Sequence, residues 1–552
     1  MTDKLLDRLD RWKRRFGPPE NGALERLLAS AAKRRFAEPA DLIRLHETLL
    51  FLRAYPRSPE VARLADAILL RFERRIAAVG ADLAAFEVPE ISGIAGTALS
   101  AVFSYAVARR LARRYRRNIE IAWDRYDGVG RLGAAMVRLM PLAAEDWPVE
   151  AHSPFRQWIA AARGRGSSDI EWLLARLESL PSGERERAAI YDALDMPLTW
   201  KMASARASRS HLRLPARKLY CHSEPLLRRA DVSLPRELEG PTLPVERLSP
   251  AAGRKMLDLI LDTSAMRYRE LYGFSQGDAG GVYRASPGRG VEIYFCGLPP
   301  EWRLPLRAYH AAMFFINGVP AGYVELLSFF ERAEVGFNLY YTFREGESAW
   351  IYAQVLRLFR QVLGVKVFSV DPYQLGHENP EAVDSGAFWF YRKLGFRAVD
   401  PRIAKLVERE ESRIGREPGY RSSRRTLEKL AMGHVLFEDR TAEAGSWDRF
   451  LIRHLGLAVQ RAIGERFGGD PERFRRAASR RVSRALGVET ASGLALALSL
   501  LPDLERWKER ELGDAAEILR AKRSGSEARY LRLMQKHNRL RAGMRRLGTA
   551  GS

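Results

Sequence analysis

The segment 311–324 constrains the fold of this chain more than any other. Ala311-Ala-Met-Phe-Phe-Ile316 and Val319-Pro-Ala-Gly-Tyr-Val324 are apolar runs of strand length, and Asn317-Gly318 joins them. Asn-Gly supplies the two positive-φ positions of a type I′ turn, so the segment predicts a tight antiparallel hairpin. A third strand is expected over Glu334–Tyr341, followed by a polar break from Thr342 to Ser348. A helix is then expected from about Ala349 to Val362, because Trp350, Ile351, Val355, Leu356, Leu358 and Phe359 recur at helical spacing. A fourth strand, Val365–Val370, ends at Asp371-Pro372, and the segment closes on Ser385-Gly-Ala-Phe-Trp-Phe-Tyr-Arg-Lys-Leu-Gly-Phe396.

The 552 residues on either side and within predict several units. Residues 1–88 read as a helical hairpin or bundle, and 89–230 as a helical domain. Six prolines between Pro215 and Pro250 suggest a linker, placed at 231–250. Residues 251–410 form the strand-bearing domain, and 411–552 a basic helical region. The fold class expected is α+β: a mixed sheet with flanking helices between large all-α N- and C-terminal regions. The uncharged run Ile91–Ala108 is long enough to suggest a membrane span. Its Ser92, Gly93, Gly96, Thr97, Ser100 and Ser104 argue instead for a buried small-residue helix or helix pair.

Lys and Arg number 91 against 68 Asp and Glu, a formal charge of +23. Two helices concentrate it: Arg109, Arg110, Arg113, Arg114, Arg116 and Arg117, and then Arg473, Arg475, Arg476, Arg480, Arg481 and Arg484. Such helices are either solvated faces or a footprint for nucleic acid. With Cys221 and Cys296 alone, a disulfide framework is excluded. The charged start has no apolar signal region, and the expectation is a cytoplasmic protein.

The order of elements in 308–397 resembles the GNAT (GCN5-related N-acetyltransferase) superfamily. The likeness rests on the hairpin feeding Ala321-Gly322-Tyr323, on the turn Thr342–Ala349, and on the ending Phe390-Tyr-Arg-Lys-Leu-Gly-Phe396. The resemblance implies an acyl-CoA-dependent N-acyltransferase that uses acetyl-CoA or another acyl-CoA. The acceptor would be a small-molecule or protein amine. It also implies that the turn, with Tyr341, Arg344, Gly346, Glu347, Ser348 and Ala349, cradles the cofactor's pyrophosphate. A helix N-terminus with unpaired N–H groups suits that anion. Tyr391 matches the family's general acid, and Glu334 is the general base by resemblance, with Glu325 as the alternative. The turn departs from the family pattern at Phe343 and Ser348, and Glu345 and Glu347 add negative charge. Two other readings follow: a degenerate acyltransferase fold kept as a binding module, or a nucleic-acid-associated protein using the basic helices.

Overall fold

The computed structural model describes residues 4–16, 22–79, 83–150, 152–202, 207–215, 218–267, 269–488 and 492–549. Two sheets organise them. The smaller comprises β1 (Ala98–Val102), β2 (Ile119–Ile121) and β3 (Pro197–Lys201) in the order β1-β3-β2, all antiparallel. Its own core, including Leu99, Leu111, Met136, Leu173 and Trp200, is shared with helices from the stretch 105–192.

The larger sheet has nine strands. They are β4 (Val245–Arg247), β5 (Tyr283–Gly288), β6 (Val291–Gly297), β7 (Ala308–Ile316), β8 (Val319–Phe329), β9 (Arg332–Leu339), β10 (Val367–Val370), β11 (Arg397–Ala398) and β12 (Val435–Glu438). The order is β11-β12-β10-β9-β8-β7-β6-β5-β4. Every pair is antiparallel except β9–β10. That parallel pair needs a crossover, which the helix Ser348–Leu363 provides. Gly364, at φ 72, accepts the left-handed conformation that stops this helix. The β7–β8 turn has Asn317 at φ 48 and Gly318 at φ 79, as the Asn-Gly pair predicts. Asn317 also donates to the Ala54 carbonyl, tying the hairpin tip to the N-terminal helix Pro39–Ala54.

Strand alternation sorts the two faces of the sheet. Ala312, Phe314, Val324, Leu326, Val335 and Phe337 join one core with the Ser348–Leu363 helix and the N-terminal helices. Tyr309, Ala311, Met313 and Phe315 join another with Leu257 and Ile260 of the helix Pro250–Ala265 and with Phe274. The molecule is therefore mixed α and β.

Several expectations need correction. The flanks are not all-α: β1–β3 lie N-terminal of the large sheet, and β12 comes from the C-terminal region to sit between β10 and β11. The short, uncapped run Val435–Glu438 carries too little periodicity to stand out between helices. Residues 231–250 contribute the edge strand β4 and the helix Leu234–Leu238, so they are built into the fold. The run Ile91–Ala108 is a turn, then β1, then the start of the helix Tyr105–Arg114. Gly93 (φ 84) and Gly96 (φ 90) break any helix there, and they bring the chain against Met266 and Glu73. Among the described residues no helix is long and apolar enough to cross a membrane.

The two basic helices differ. On Tyr105–Arg114, Arg109 pairs with Glu184, Arg110 with Asp258 and Asp262, Arg113 with Glu178, and Arg114 with Asp262. Arg110 and Arg114 thus tie the helix to Pro250–Ala265 and Arg109 and Arg113 tie it to its own unit, with Arg109 and Arg110 half-buried and Arg113, Arg114, Arg116 and Arg117 exposed. On Pro471–Leu486, Arg475 and Arg481 pair with Glu472 and Glu505, while Arg473, Arg476, Arg480 and Arg484 are exposed.

Candidate functional site

Strands β9 and β10 pair only from Arg332–Glu334 to Val367–Ser369, and β9 then runs on to Leu339. Strand β10 ends one residue beyond this pairing, and past its end a cleft of about 290 Å³, the β9–β10 cleft, opens between β9 and the segment 373–391 at the start of the Ser348–Leu363 helix. Asn338 and Leu339 line it from β9, Tyr323 from β8, and Ser348 from the helix. Tyr391 closes the far wall from the helix Ala387–Lys393. Burial raises the Tyr391 and Tyr323 phenols above their ordinary range, so both are neutral and can donate protons at pH 7.

The cleft is also charged. Arg344 and Arg269 both line it, and both bind the carboxylate of Glu381, which belongs to the short helix Pro380–Asp384. The Arg269 contact is 3.6 Å. Asn379 fixes this helix by accepting the Ala382 N–H at 3.3 Å. Two guanidinium groups thus converge on one partly exposed carboxylate.

The turn before the helix has two faces. Arg344 and Ser348 face the cleft. Glu345, Gly346 and Glu347 face the other way, toward segments distant in sequence. Glu345 meets Lys13 at 3.4 Å and also Arg14. Glu347 is buried, accepts the Leu227 N–H at 3.0 Å, and is gripped by Arg289 at 2.8 and 3.0 Å. Arg289 sits at φ 52 on the β5–β6 hairpin tip. A Cβ on Gly346 would lie 2.3 Å from the Tyr55 hydroxyl. That hydroxyl accepts the Glu347 N–H. The glycine therefore admits Tyr55, not a phosphate. Tyr341 is exposed and flanks Arg344, whereas Ala349 is buried in the core. Phe343, at the polar position of the family pattern, is fully buried.

Glu334 does not line the cleft. It pairs with Arg307 at 3.4 Å. A strand advances about 3.4 Å per residue, so Glu334 lies about 14 Å along β9 from Asn338. Glu325 is nearer, two residues from Tyr323 on the same face of β8. It accepts a hydrogen bond from Tyr309, and burial raises its carboxyl above the usual range. The structure thus brings Arg344, Ser348 and Tyr391 together and leaves Glu334, Glu325, Tyr341, Gly346, Glu347 and Ala349 outside the cleft lining. Arg269, Tyr323, Asn338 and Glu381 were not singled out by sequence. Glu381 lies in the polar run Gln374–Asp384, whose composition is the signal in the sequence for it.

Behind the turn lies a buried ionic network. Glu47 accepts two bonds from Arg209 at 2.8 Å and one from Thr342. His46 is wholly buried between Glu47, at 3.1 Å, and Ser210, at 2.9 Å. Ser210 in turn accepts the Ala95 N–H. This Glu-His-Ser order is solvent-inaccessible and serves as an internal brace. Burial opposes ionisation of Glu47, but Arg209 and the hydrogen bonds from His46 and Thr342 outweigh it and hold the carboxyl down at about 2. Burial pushes His46 down to about 4. No group of His, Cys, Asp and Glu among the described residues has the arrangement of a metal site.

No protein-family model matches the chain, and no curated protein or solved structure matches it at a significant level.

Proposed function

We propose that this chain is an acyl-CoA-dependent N-acyltransferase whose reaction takes place in the β9–β10 cleft. The observation that carries the proposal is the cleft past the end of β10 at the start of the crossover helix, with Tyr391, Ser348 and Arg344 on its walls. The residues present fit such a cofactor at the helix start. Glu347 makes no side-chain cap there, and Arg289 draws its carboxylate away from the cleft. The opening is left with a net cationic wall and the positive end of the helix dipole. Arg344, Arg269 and Ser348 would hold the pyrophosphate, displacing Glu381. When bound, the cofactor supplies an activated acyl thioester.

The chain's own residues then have three tasks. Tyr391 holds a proton beside the cleft and can pass it to a leaving thiolate. Asn338 and Tyr323 present polar groups that can orient an acceptor. Glu325, with its raised carboxyl, is the group on the acceptor face of β8 able to take a proton from an amine. Glu325, the alternative base, lies outside the cleft lining as Glu334 does, but it is the nearer of the two, and we prefer it on that ground.

The test is binding followed by turnover. Acetyl-CoA at about 100 times its dissociation constant stabilises its binding domain by roughly 2.7 kcal/mol. That shift should vanish in Ser348→Trp. Tyr391→Phe should keep the shift and lose most of the transfer, about 10²-fold or more. No shift with any acyl-CoA would defeat the proposal. A shift without transfer to any amine would favour the second reading, a cleft that binds and does not transfer; the removal of Glu334 from the cleft is the observation on its side.

A further inference from the structure

The helix Pro471–Leu486 carries a line of positive charge that the rest of the fold leaves unanswered. Phe474, Ala478, Val482 and Leu486, spaced four apart, are its buried residues and fix the face that packs inward. Arg473, Arg476, Arg480 and Arg484 follow at spacings of three and four on the opposite face, and all four are exposed. Glu472 and Glu505, the acids beside this line, are bound by Arg475 and Arg481 on its flanks. Arg484 acts on Glu505 through space. Among the described residues, no carboxylate or carbonyl is bonded to the side chain of Arg473, Arg476 or Arg480.

The charge continues across a groove of about 1090 Å³ between this helix and the helix Glu509–Ser524. Arg480 lines one wall and Arg523, also exposed, lines the other. Arg303 and Lys522 line the groove too, but they are bonded inward, Arg303 to the Lys522 carbonyl at 2.8 Å and Lys522 to Glu527 at 2.7 Å. The acidic side chain in the lining, Glu301, acts on Arg303.

A lipid surface, an acidic protein and a nucleic acid all carry negative charge, and apolar content decides among them. A helix that lies on a membrane inserts apolar side chains beside its basic face, and a protein interface buries an apolar or aromatic centre. Among the described residues, no large apolar side chain is exposed C-terminal of Leu457. The same absence of exposed rings removes the stacking platform that a single strand needs. A regular array of phosphates asks only for evenly spaced cations. From Arg473 to Arg484 the helix rises about 16 Å, over which one strand of a duplex presents about five phosphates. Guanidinium groups also suit phosphate oxygens, which they bind in a bidentate fashion.

We propose that the arginine face of Pro471–Leu486, with Arg523 across the groove, docks the phosphate backbone of a nucleic-acid double helix without reading its sequence. The inference stands apart from acyl transfer, because none of these arginines lines the β9–β10 cleft.

The test titrates the full chain into a fluorescein-labelled DNA duplex of about 20 base pairs and reads anisotropy at several salt concentrations. A chain of net charge +23 attracts any polyanion, so the control must reverse the same charge elsewhere. Arg476→Glu with Arg480→Glu is therefore set against Arg71→Glu with Arg74→Glu, two exposed arginines near the N-terminus. Four to five phosphate contacts should give a log–log salt slope of about −4, a loss of about 10²-fold in affinity between 50 and 200 mM salt. The Arg476 and Arg480 reversals should weaken binding at least tenfold and make the slope shallower by about 2. The Arg71 and Arg74 reversals should cost no more than about threefold at physiological salt, where distant charges are screened. Unfolding midpoints report whether each variant folds, and Arg476→Gln with Arg480→Gln should shallow the slope to the same extent without adding acid. A duplex of unrelated sequence should bind alike, and the single strand or vesicles of phosphatidylserine and phosphatidylcholine more weakly. The proposal is overturned by no binding at low salt, by equal losses from the two pairs of reversals, or by a slope that the Arg476 and Arg480 variants leave unchanged. Tighter binding of one duplex sequence, of the single strand or of the vesicles overturns it as well.

Discussion

The two faces of the turn Tyr341–Ala349 are built from adjacent residues and have opposite roles. The inner face, Glu345, Gly346 and Glu347, is consumed by contacts to Lys13, Arg14, Tyr55, Leu227 and Arg289. The outer face, Arg344 and Ser348, stands on the cleft with Glu381 as the acidic side chain lining it among the described residues. A backbone that must both start a helix and hold an anion cannot be left loose. Here the inner face carries the rigidity, so the outer face can stay open. This explains why the acidic residues that look misplaced for an anion cradle do not repel an anion: their charges are neutralised on the far side.

That division predicts separable effects. The largest should come from Arg289→Ala, which leaves the Glu347 carboxylate buried with only a backbone donor. Breaking a buried pair in this way costs about 3–5 kcal/mol, measurable as a fall in denaturant midpoint. A loss below about 1 kcal/mol would show that the inner face does not brace the turn. Next is acid sensitivity. His46 ordinarily titrates near 6.5 and here only near 4, so the unfolded chain binds its proton first. Stability from this group is complete above about pH 6.5 and falls as pH drops toward 4, by up to about 3 kcal/mol. Glu47 works lower: its depressed carboxyl stabilises above the unfolded value of about 4.3 and loses that contribution as pH falls toward 2. His46→Gln should flatten the upper part of the stability profile and only reduce the lower part, where Arg209 and Thr342 still hold the Glu47 carboxyl down. A smaller effect belongs to Tyr55→Phe, which removes the acceptor of the Glu347 N–H and should cost about 1 kcal/mol.

The contrast also shows what the sequence could carry. Local chemistry was legible: the Asn317-Gly318 turn, the Ser348–Leu363 helix and the aromatic run to Phe396 each follow from neighbours in the chain. Tyr391, Arg344 and Ser348, which the fold brings to one cleft, were legible as candidates because they belong to such local patterns. The partners of charged residues were not. Arg110 meets Asp262 across 152 positions, and Glu347 meets Arg289 across 58. Nothing in either neighbourhood distinguishes a paired arginine from a solvated one. For the same reason the Tyr105–Arg114 and Pro471–Leu486 helices look alike as sequence and differ in the fold. The strand β12 escaped because four residues at a sheet interior owe their conformation to β10 and β11.

The smallest predicted change in stability is the most informative about the outer face. Glu381 ties Arg269 and Arg344, yet all three side chains are more than a third exposed. Exposed pairs contribute about 0–1 kcal/mol, so Glu381→Gln should barely move the unfolding midpoint. Its effect on an anionic ligand should be the reverse of an ordinary site mutation. If Glu381 occupies the place of a phosphate, removing its charge frees both guanidinium groups, and pyrophosphate or acetyl-CoA should bind several-fold more tightly, with a steeper dependence on salt. Tighter binding in Glu381→Gln and weaker binding in Arg344→Gln would together make the two arginines the anion clamp. Weaker binding in both would mean that Glu381 positions the arginines instead of competing for them, and the pyrophosphate assignment would have to move from Arg344 to the backbone at Ser348.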